Sequence, residues 1–530
     1  MTRWRWYGVI LLTACVGGGA SEGRTSPIAA GRRDEIITIG SHNEIRHVSA
    51  GERLVFAATQ TGIIVYDALF RTWLPPLSAS PDLHLPVSVL AADPTEDAVW
   101  IGASGRIAYY RPRMDYVVST LVPGTPEEIF FDRADLGSGA FVRLGSRFVR
   151  VSRGSVVYAP VTVVPPPDRR LTPATAREVF REFPALESFL PLLTRGDDLE
   201  QWPATAATMA PGRSEVWLGT RGNGLLRVDP AFNRAEHVPF GLLEEGVGAL
   251  ALAADGVWCG GTGAPGERGG LTFASLDLQR WRWIDGPPSR PFLGTRVNDL
   301  AVRERTAWIA TSRGLFRADI DDENRMMRWD AGDGLPSDVV TSVAPTDDGA
   351  WVGSTSGLAF VDRFARSIEP RVGVRDLRLR GDTLWVASTS GVLALISPDT
   401  IPRELSIRDA RLTRAVSALA LADSVLAVAT DDEQLVEIDL RSRQVMPPRA
   451  ASVAAVRRIA RLTMDAETIW IAGEGGVLVI HRATGRSALL AARSALPDAA
   501  TDVALMADIA WIGTRGGLVR VRRHTDGMPP

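Results

Sequence analysis

Arg221 and Asn223 in RGNG, Arg313 in SRG and Arg515 in TRGG stand at matching glycine turns of a recurring segment. Arginine presents a planar fork of donors that fits carboxylates and phosphates. These turns could therefore line a polar face that takes acidic groups on a ligand, although solvated turn residues are the simpler reading. Other groupings fall short of a chemistry. Asp319-Ile-Asp321-Asp322-Glu323-Asn324 crowds oxygen donors but lacks the glycine and the distant glutamate of a calcium loop, which predicts a solvated hairpin turn. His42 and His47 lie five apart with no cysteine or carboxylate cluster, so no metal site is expected. Gly353-Ser-Thr-Ser-Gly357 has threonine where a nucleophile elbow needs serine, and Arg221-Gly-Asn-Gly224 opens a strand where a dinucleotide loop must open a helix. No catalytic, metal-binding or cofactor-binding set assembles, and the reading is that the chain is not an enzyme.

Composition narrows the classes further. All 59 basic residues are arginine, which removes P-loop, Schiff-base and kinase-type lysine chemistry. A net charge of −3 gives no basic field for nucleic acid. A chain of 530 residues with 45% apolar residues exceeds one ordinary core and predicts a repeat array or several domains.

The elements that must position any site come from one phrase: Trp, an aliphatic residue, Gly or Ala, then usually Thr, Ser or Gly. It occurs at Trp100, Trp217, Trp258, Trp308, Trp351, Trp385, Trp470 and Trp511, with degenerate copies at Phe56, Phe141 and Ala427. Most steps are 41 to 44 residues, room for four short strands and their turns. In TAWIATSRGLFRAD from Thr306, Ala307, Ile309 and Thr311 share one strand face and Trp308 and Ala310 the other, so both faces are apolar and both must be covered. A large ring beside a small neighbour leaves a gap that admits side chains of the next sheet. The chain is expected to be all-β, a β-propeller of about eleven four-stranded blades over 35–523, arranged as two rings in tandem. One oversized ring is the alternative, and the Pro-rich stretch 286–291 is a candidate ring boundary. Glu35–Ile39 supplies strand-like sequence that the incomplete last repeat lacks, which predicts that the N-terminal strand completes that blade.

Two insertions interrupt the period. The stretch 165–211 carries LTPATAREVFREFPALESFLPLLTR, read as a small amphipathic helical insertion broken at Pro184 and Pro191. It either packs on its own propeller or serves as a partner or gating element. Gly261–Gly270 is read as an extended, mobile loop, and Asp431-Asp432-Glu433 replaces a glycine turn and marks an irregular blade.

The segment DGLPSDVVTSVAPTDDGAWVGSTSGLAFVD from Asp333, and LPDAATDVALMADIAWIGTRGGLVRV from Leu496, closely resemble the two-component regulator propeller repeat. In that family such repeats form extracytoplasmic sensing regions, which implies a β-propeller with a recognition role. Arg3, Arg5 and the apolar run Tyr7–Ala14 make a signal-peptide core, and Leu12-Thr13-Ala14-Cys15 resembles the lipobox of bacterial lipoproteins. That resemblance implies a signal peptide over 1–14, a lipid-modified Cys15, and an outer-membrane address from Val16; residues 15–34 read as a flexible tether. Cys259, in the aliphatic slot after Trp258, is expected to be a buried small residue. The function expected is a lipid-anchored, extracytoplasmic, non-catalytic binding module in the bacterial envelope, facing the periplasm or the cell surface. Its expected partners are membrane lipid through Cys15 and a protein or glycan, with no cofactor. Alternatives are an assembly scaffold, similar to the propeller lipoprotein of the outer-membrane barrel-assembly machinery, and a propeller lyase or glycan hydrolase.

Overall fold

Each of the eight phrase tryptophans lies buried in the second strand of a four-stranded antiparallel sheet, and Phe56, Phe141 and Ala427 hold the same place in three more. The architecture was read from a computed structural model, which describes residues 35–530 apart from 79–82, 84, 154–157, 163, 165–175, 195–200, 213, 232–233, 266, 268, 286–291, 293, 369–371, 396–402, 405–408 and 447–452. The fold is all-β and propeller-like, with eleven sheets. In chain order they span 47–78, 87–121, 128–161, 204–238, 247–284, 297–329, 340–368, 374–404, 416–445, 459–491 and 500–522. The eleventh is completed by Ile36–Ile39, whose residues pair with the last strand in the register Ile36↔Val521 to Ile39↔Leu518, as the complementary chain ends predicted. Cys15, the signal-peptide core and the tether lie outside the described residues, as does the stretch 286–291.

The phrase has a physical reading at each position. The small residue two after the ring faces the next sheet. A Cβ on Gly353 would stand 2.4 Å from Val374, one on Gly260 2.5 Å from Val297, and one on Gly513 2.8 Å from Val247. The hydroxyl that follows closes the hairpin between second and third strands. Thr220 donates to Gly224 O at 2.9 Å, Thr311 to Gly314 O at 2.7 Å and Thr514 to Gly517 O at 2.7 Å. Gly517 itself takes φ +130°, and any Cβ there would meet Ile39 O at 2.6 Å, so the ring-closing strand requires glycine.

Contacts between inner strands sort the sheets into two sets. The fifth to eleventh touch in sequence, and the eleventh touches the fifth, so seven sheets close on themselves. Among the first four, the fourth touches the first, the first the second and the second the third. The threading is nested where a tandem arrangement was expected. From Ile36 the described residues start in the eleventh sheet, leave for the set of four, and return to build the seven. The outgoing passage 40–46 and the returning passage 239–246 run side by side, with Ser41 bridged to Gly241 and Leu242 N donating to Gly40 O at 3.1 Å.

Part of the insertion 165–211 is helical: α1 (Ala176–Glu182) and α2 (Pro184–Leu193). Val179 and Leu186 are fully buried against Ala207, Val216, Leu218 and Leu226 of the fourth sheet, and Phe180 and Phe183 pack partly against the same cluster. Residues 204–209 of that stretch form the inner strand of the fourth sheet. Pro184 opens α2, the position where a missing N–H costs nothing, whereas Pro191 lies inside α2, two residues before its end. The acidic turn at Asp431 sits in a four-stranded sheet whose outer strand is only Gln444–Val445; at the turn Glu433 itself adopts φ +59° in place of glycine, and Arg375 and Arg414 pair with Asp431 and Asp432.

Candidate functional site

A ligand on the axis of the seven sheets would have to displace Arg461. This residue sits on an innermost strand and is almost fully buried. Its guanidinium reaches Asp299 at 2.9 Å, Asp376 at 3.1 Å and Asp502 at 3.3 Å, carboxylates supplied by three other sheets. Each carboxylate also accepts the backbone N–H of the neighbouring inner strand: Val343 on Asp299, Leu419 on Asp376 and Leu250 on Asp502. Burial pushes Asp299 and Asp502 up, opposed by the Arg461 charge. Burial alone would lower Arg461, but the three carboxylates outweigh it and hold it above its ordinary range. The centre is thus a satisfied electrostatic plug.

The turn residues are dispersed. Arg221, Arg313 and Arg515 are exposed on the fourth, sixth and eleventh sheets. Asn223 is buried, and its backbone N–H donates to Thr220 Oγ1 at 2.9 Å. Asp321 pairs with Arg282 at 2.7 Å and Arg305 at 2.9 Å, as a solvated hairpin turn does. Cys259 is a buried free thiol whose burial pushes its pKa up, so it fills the aliphatic slot. His42 is buried at the passage between the two sets, apart from His47 on the first sheet, and no three metal-ligating side chains converge among the described residues.

The concave surface with recognition chemistry lies where the two sets of sheets meet. A groove of about 440 Å3 is lined by Trp73, Pro239, Trp258, Phe273, Trp281, Arg282, Trp283 and Ile320, with Asp255, Gln279 and Arg280 at its polar margin. The strand Trp281–Ile284 is the outer edge of the fifth sheet, and its period of two puts Trp281 and Trp283 on one face and Arg282 on the other. Both tryptophans are half-buried. Their indole N–H groups are already committed, Trp281 to Leu278 O at 2.9 Å and Trp283 to Gly241 O at 3.0 Å; Trp73 likewise donates to Pro239 O at 3.0 Å. What these rings offer a ligand is therefore flat aromatic surface held at fixed angles. Behind them Trp73, Phe240 and Trp281 pack with centroids 4.6 and 4.9 Å apart. Arg280 pairs with Asp255 at 2.9 Å, and Arg282 lies 5.9 Å from the Trp258 ring centre, so the margin is nearly charge-balanced.

Sequence reasoning singled out Trp258 as structural and passed over Trp73, Trp281 and Trp283. The available signal was that these three fall outside the repeating phrase, and that Trp-Arg-Trp alternates on a fourth strand.

No protein-family model matches the chain, and no curated protein matches its sequence. Solved structures do resemble it. PorZ, a surface component of the type-IX secretion system of Porphyromonas gingivalis, is 13% identical, with a TM-score of 0.46 over 90% of this chain and 68% of that one. The extracellular domain of a candidate one-component system from B. thetaiotaomicron is 13% identical, with a TM-score of 0.35 over 96% and 76%. The WD40 β-propeller domain of Doa1 is 12% identical, with a TM-score of 0.42 over 55% and 96%. The likeness is one of fold.

Proposed function

We propose that the chain is a lipid-anchored, extracytoplasmic recognition module without catalytic activity, and that its protein or glycan partner docks in the tryptophan groove between the two sets of sheets. The observation that carries this reading is the groove itself. Its volume suits a small ligand or one residue of a larger one, and such sites favour the junctions between packed units. Half-exposed indoles with spent N–H groups bind through their faces, and near-balanced arginine–aspartate pairs at the margin add directional hydrogen bonds. The lipobox-like Leu12–Cys15 supports an anchor at Cys15, and Val16 after it supports an outer-membrane address, facing the periplasm or the outside.

The test has two arms. Metabolic labelling with an acyl analogue should mark the wild-type chain and leave Cys15→Ala unmarked; equal labelling of both sinks the anchor. Glycan and peptide arrays probed with the full chain should yield ligands whose affinity falls about tenfold or more in Trp281→Ala/Trp283→Ala, since a stacked aromatic face is a typical binding hot spot. Ligands bound equally well by the variant would move the site elsewhere.

A further inference from the structure

The returning passage 239–246 holds the groove and also carries buried acids that the groove does not use. Gly241 O accepts the Trp283 indole, and Glu244 and Glu245 follow within four residues. Glu245 Oε2 accepts Ser41 N of the outgoing passage at 2.7 Å, so one carboxyl joins the two passages. Glu267 Oε2 accepts Glu245 N at 2.7 Å, and Glu244 Oε2 accepts Gly263 N at 2.8 Å. The loop 261–270, expected to be mobile, is thus tied to the junction at Gly263, Ala264 and Glu267 through these carboxyl groups. Packing is tight: a Cβ on Gly261 would stand 2.2 Å from Glu244 Oε1, and one on Gly40 2.8 Å from Glu245 Oε1. Glu244 Oε1 and His42 Nε2 are buried and find no hydrogen-bond partner among the described residues. Neither Glu244, Glu245 nor Glu267 forms an ion pair among them. The charged groups on neighbouring elements are Glu44, Arg46 and His42 on the outgoing passage, Arg221 on the turn bridged to Glu44, Arg296 whose backbone abuts Gly263, and Asp285 beside Gly270. Arg268, in the same loop, lies outside the described residues.

We infer that protonated Glu244 and Glu245 lock the junction between the two sets of sheets, that their ionisation loosens it, and that the tryptophan groove is thereby gated by pH. The gating clause rests on the groove being the binding site. Burial holds both acids up at about 7, with Glu267 adding repulsion. Acids raised in the folded state stabilise it fully below their ordinary pKa near 4.5, and that contribution is lost as pH climbs through about 7. His42, which burial lowers to about 3, acts in the opposite sense: its cost appears as pH falls below 6.5 and contributes no slope above it. Loosening therefore belongs to the rise from about pH 5 to 8.

Hydrogen exchange of the full chain, corrected for intrinsic rates, should be about tenfold or more faster at pH 8 than at pH 5 in 40–46 and 239–246, while 509–514 stays protected. Glu244→Gln/Glu245→Gln should remain slow at both pH values; Glu245→Gln alone serves if the double variant does not fold. Equal exchange at the two pH values, or a wild-type pH response in the variants, overturns the lock. Acrylamide quenching, compared with Trp281→Phe/Trp283→Phe, should report greater access to the groove indoles at pH 8. Faster exchange with unchanged quenching overturns the gating and leaves the proposed binding role standing; failure of every array ligand removes that role while leaving the lock intact.

Discussion

Arg461→Met should lower the unfolding free energy by about 3–5 kcal/mol, because it strands the buried carboxylates of Asp299 and Asp502 without their cation and leaves Asp376 with Arg378 alone, at 2.9 Å. Little of that loss is attraction forfeited; most is the cost of leaving Asp299 and Asp502 charged in a dry centre. Two consequences separate this account from simple loss of packing. Without Arg461 the burial that already raises Asp299 and Asp502 is less opposed, so the defect should shrink in acid and deepen as pH rises through their folded pKa values. Replacing the three aspartates by asparagine in the Arg461→Met background should recover part of the loss, since asparagine still accepts the N–H groups of Val343, Leu419 and Leu250. Urea unfolding followed by tryptophan fluorescence at pH 5 and 8 reads all of this. An unchanged midpoint for Arg461→Met would falsify the plug.

Trp511→Ala should cost a similar amount, about 3–5 kcal/mol, by opening a cavity at the place where the seven sheets close. Trp511 is fully buried among Ile37, Ile39, Val247, Leu250 and Cys259, which come from the N-terminal strand and the fifth sheet. The loss should fall on ring closure, so exchange in Ile36–Ile39 should rise first. Trp283→Ala, on an exposed outer edge, should lose binding while moving the urea midpoint far less. If the two variants showed the same pattern, the division between structural and ligand-facing tryptophans would fail.

That division shows how much was legible in sequence. Local chemistry dictated the blade. A ring, a small residue two positions on and a hydroxyl after it demand one strand, one close approach and one closed hairpin, so all eleven sheets could be placed from the phrase. The N-terminal strand was legible because the last repeat visibly lacked a strand. What could not be read was which sheet meets which. Gly513 must leave room for Val247 as Gly353 does for Val374, yet nothing near Gly513 says that its neighbour lies so far back in the chain. The nesting of four sheets within seven followed from such remote contacts. So did the groove, because Trp73 and Trp281 are brought together by two connecting passages that carry no repeat. The arginine turns were conspicuous for the opposite reason: each is local, and the fold leaves them apart on three sheets.

The paired passages also say something about how the molecule is divided. Gly40 and Leu242 are hydrogen-bonded to each other, so the chain departs from the seven sheets and re-enters them at nearly one point. Everything between is a detour whose two ends already touch. A strand running straight from Gly40 into Leu242 would omit four sheets and both helices while leaving the seven-sheet circuit, including its N-terminal strand, uninterrupted. The smaller set is cargo carried on a complete wheel, and the handle by which it is carried is the same stretch that shapes the groove.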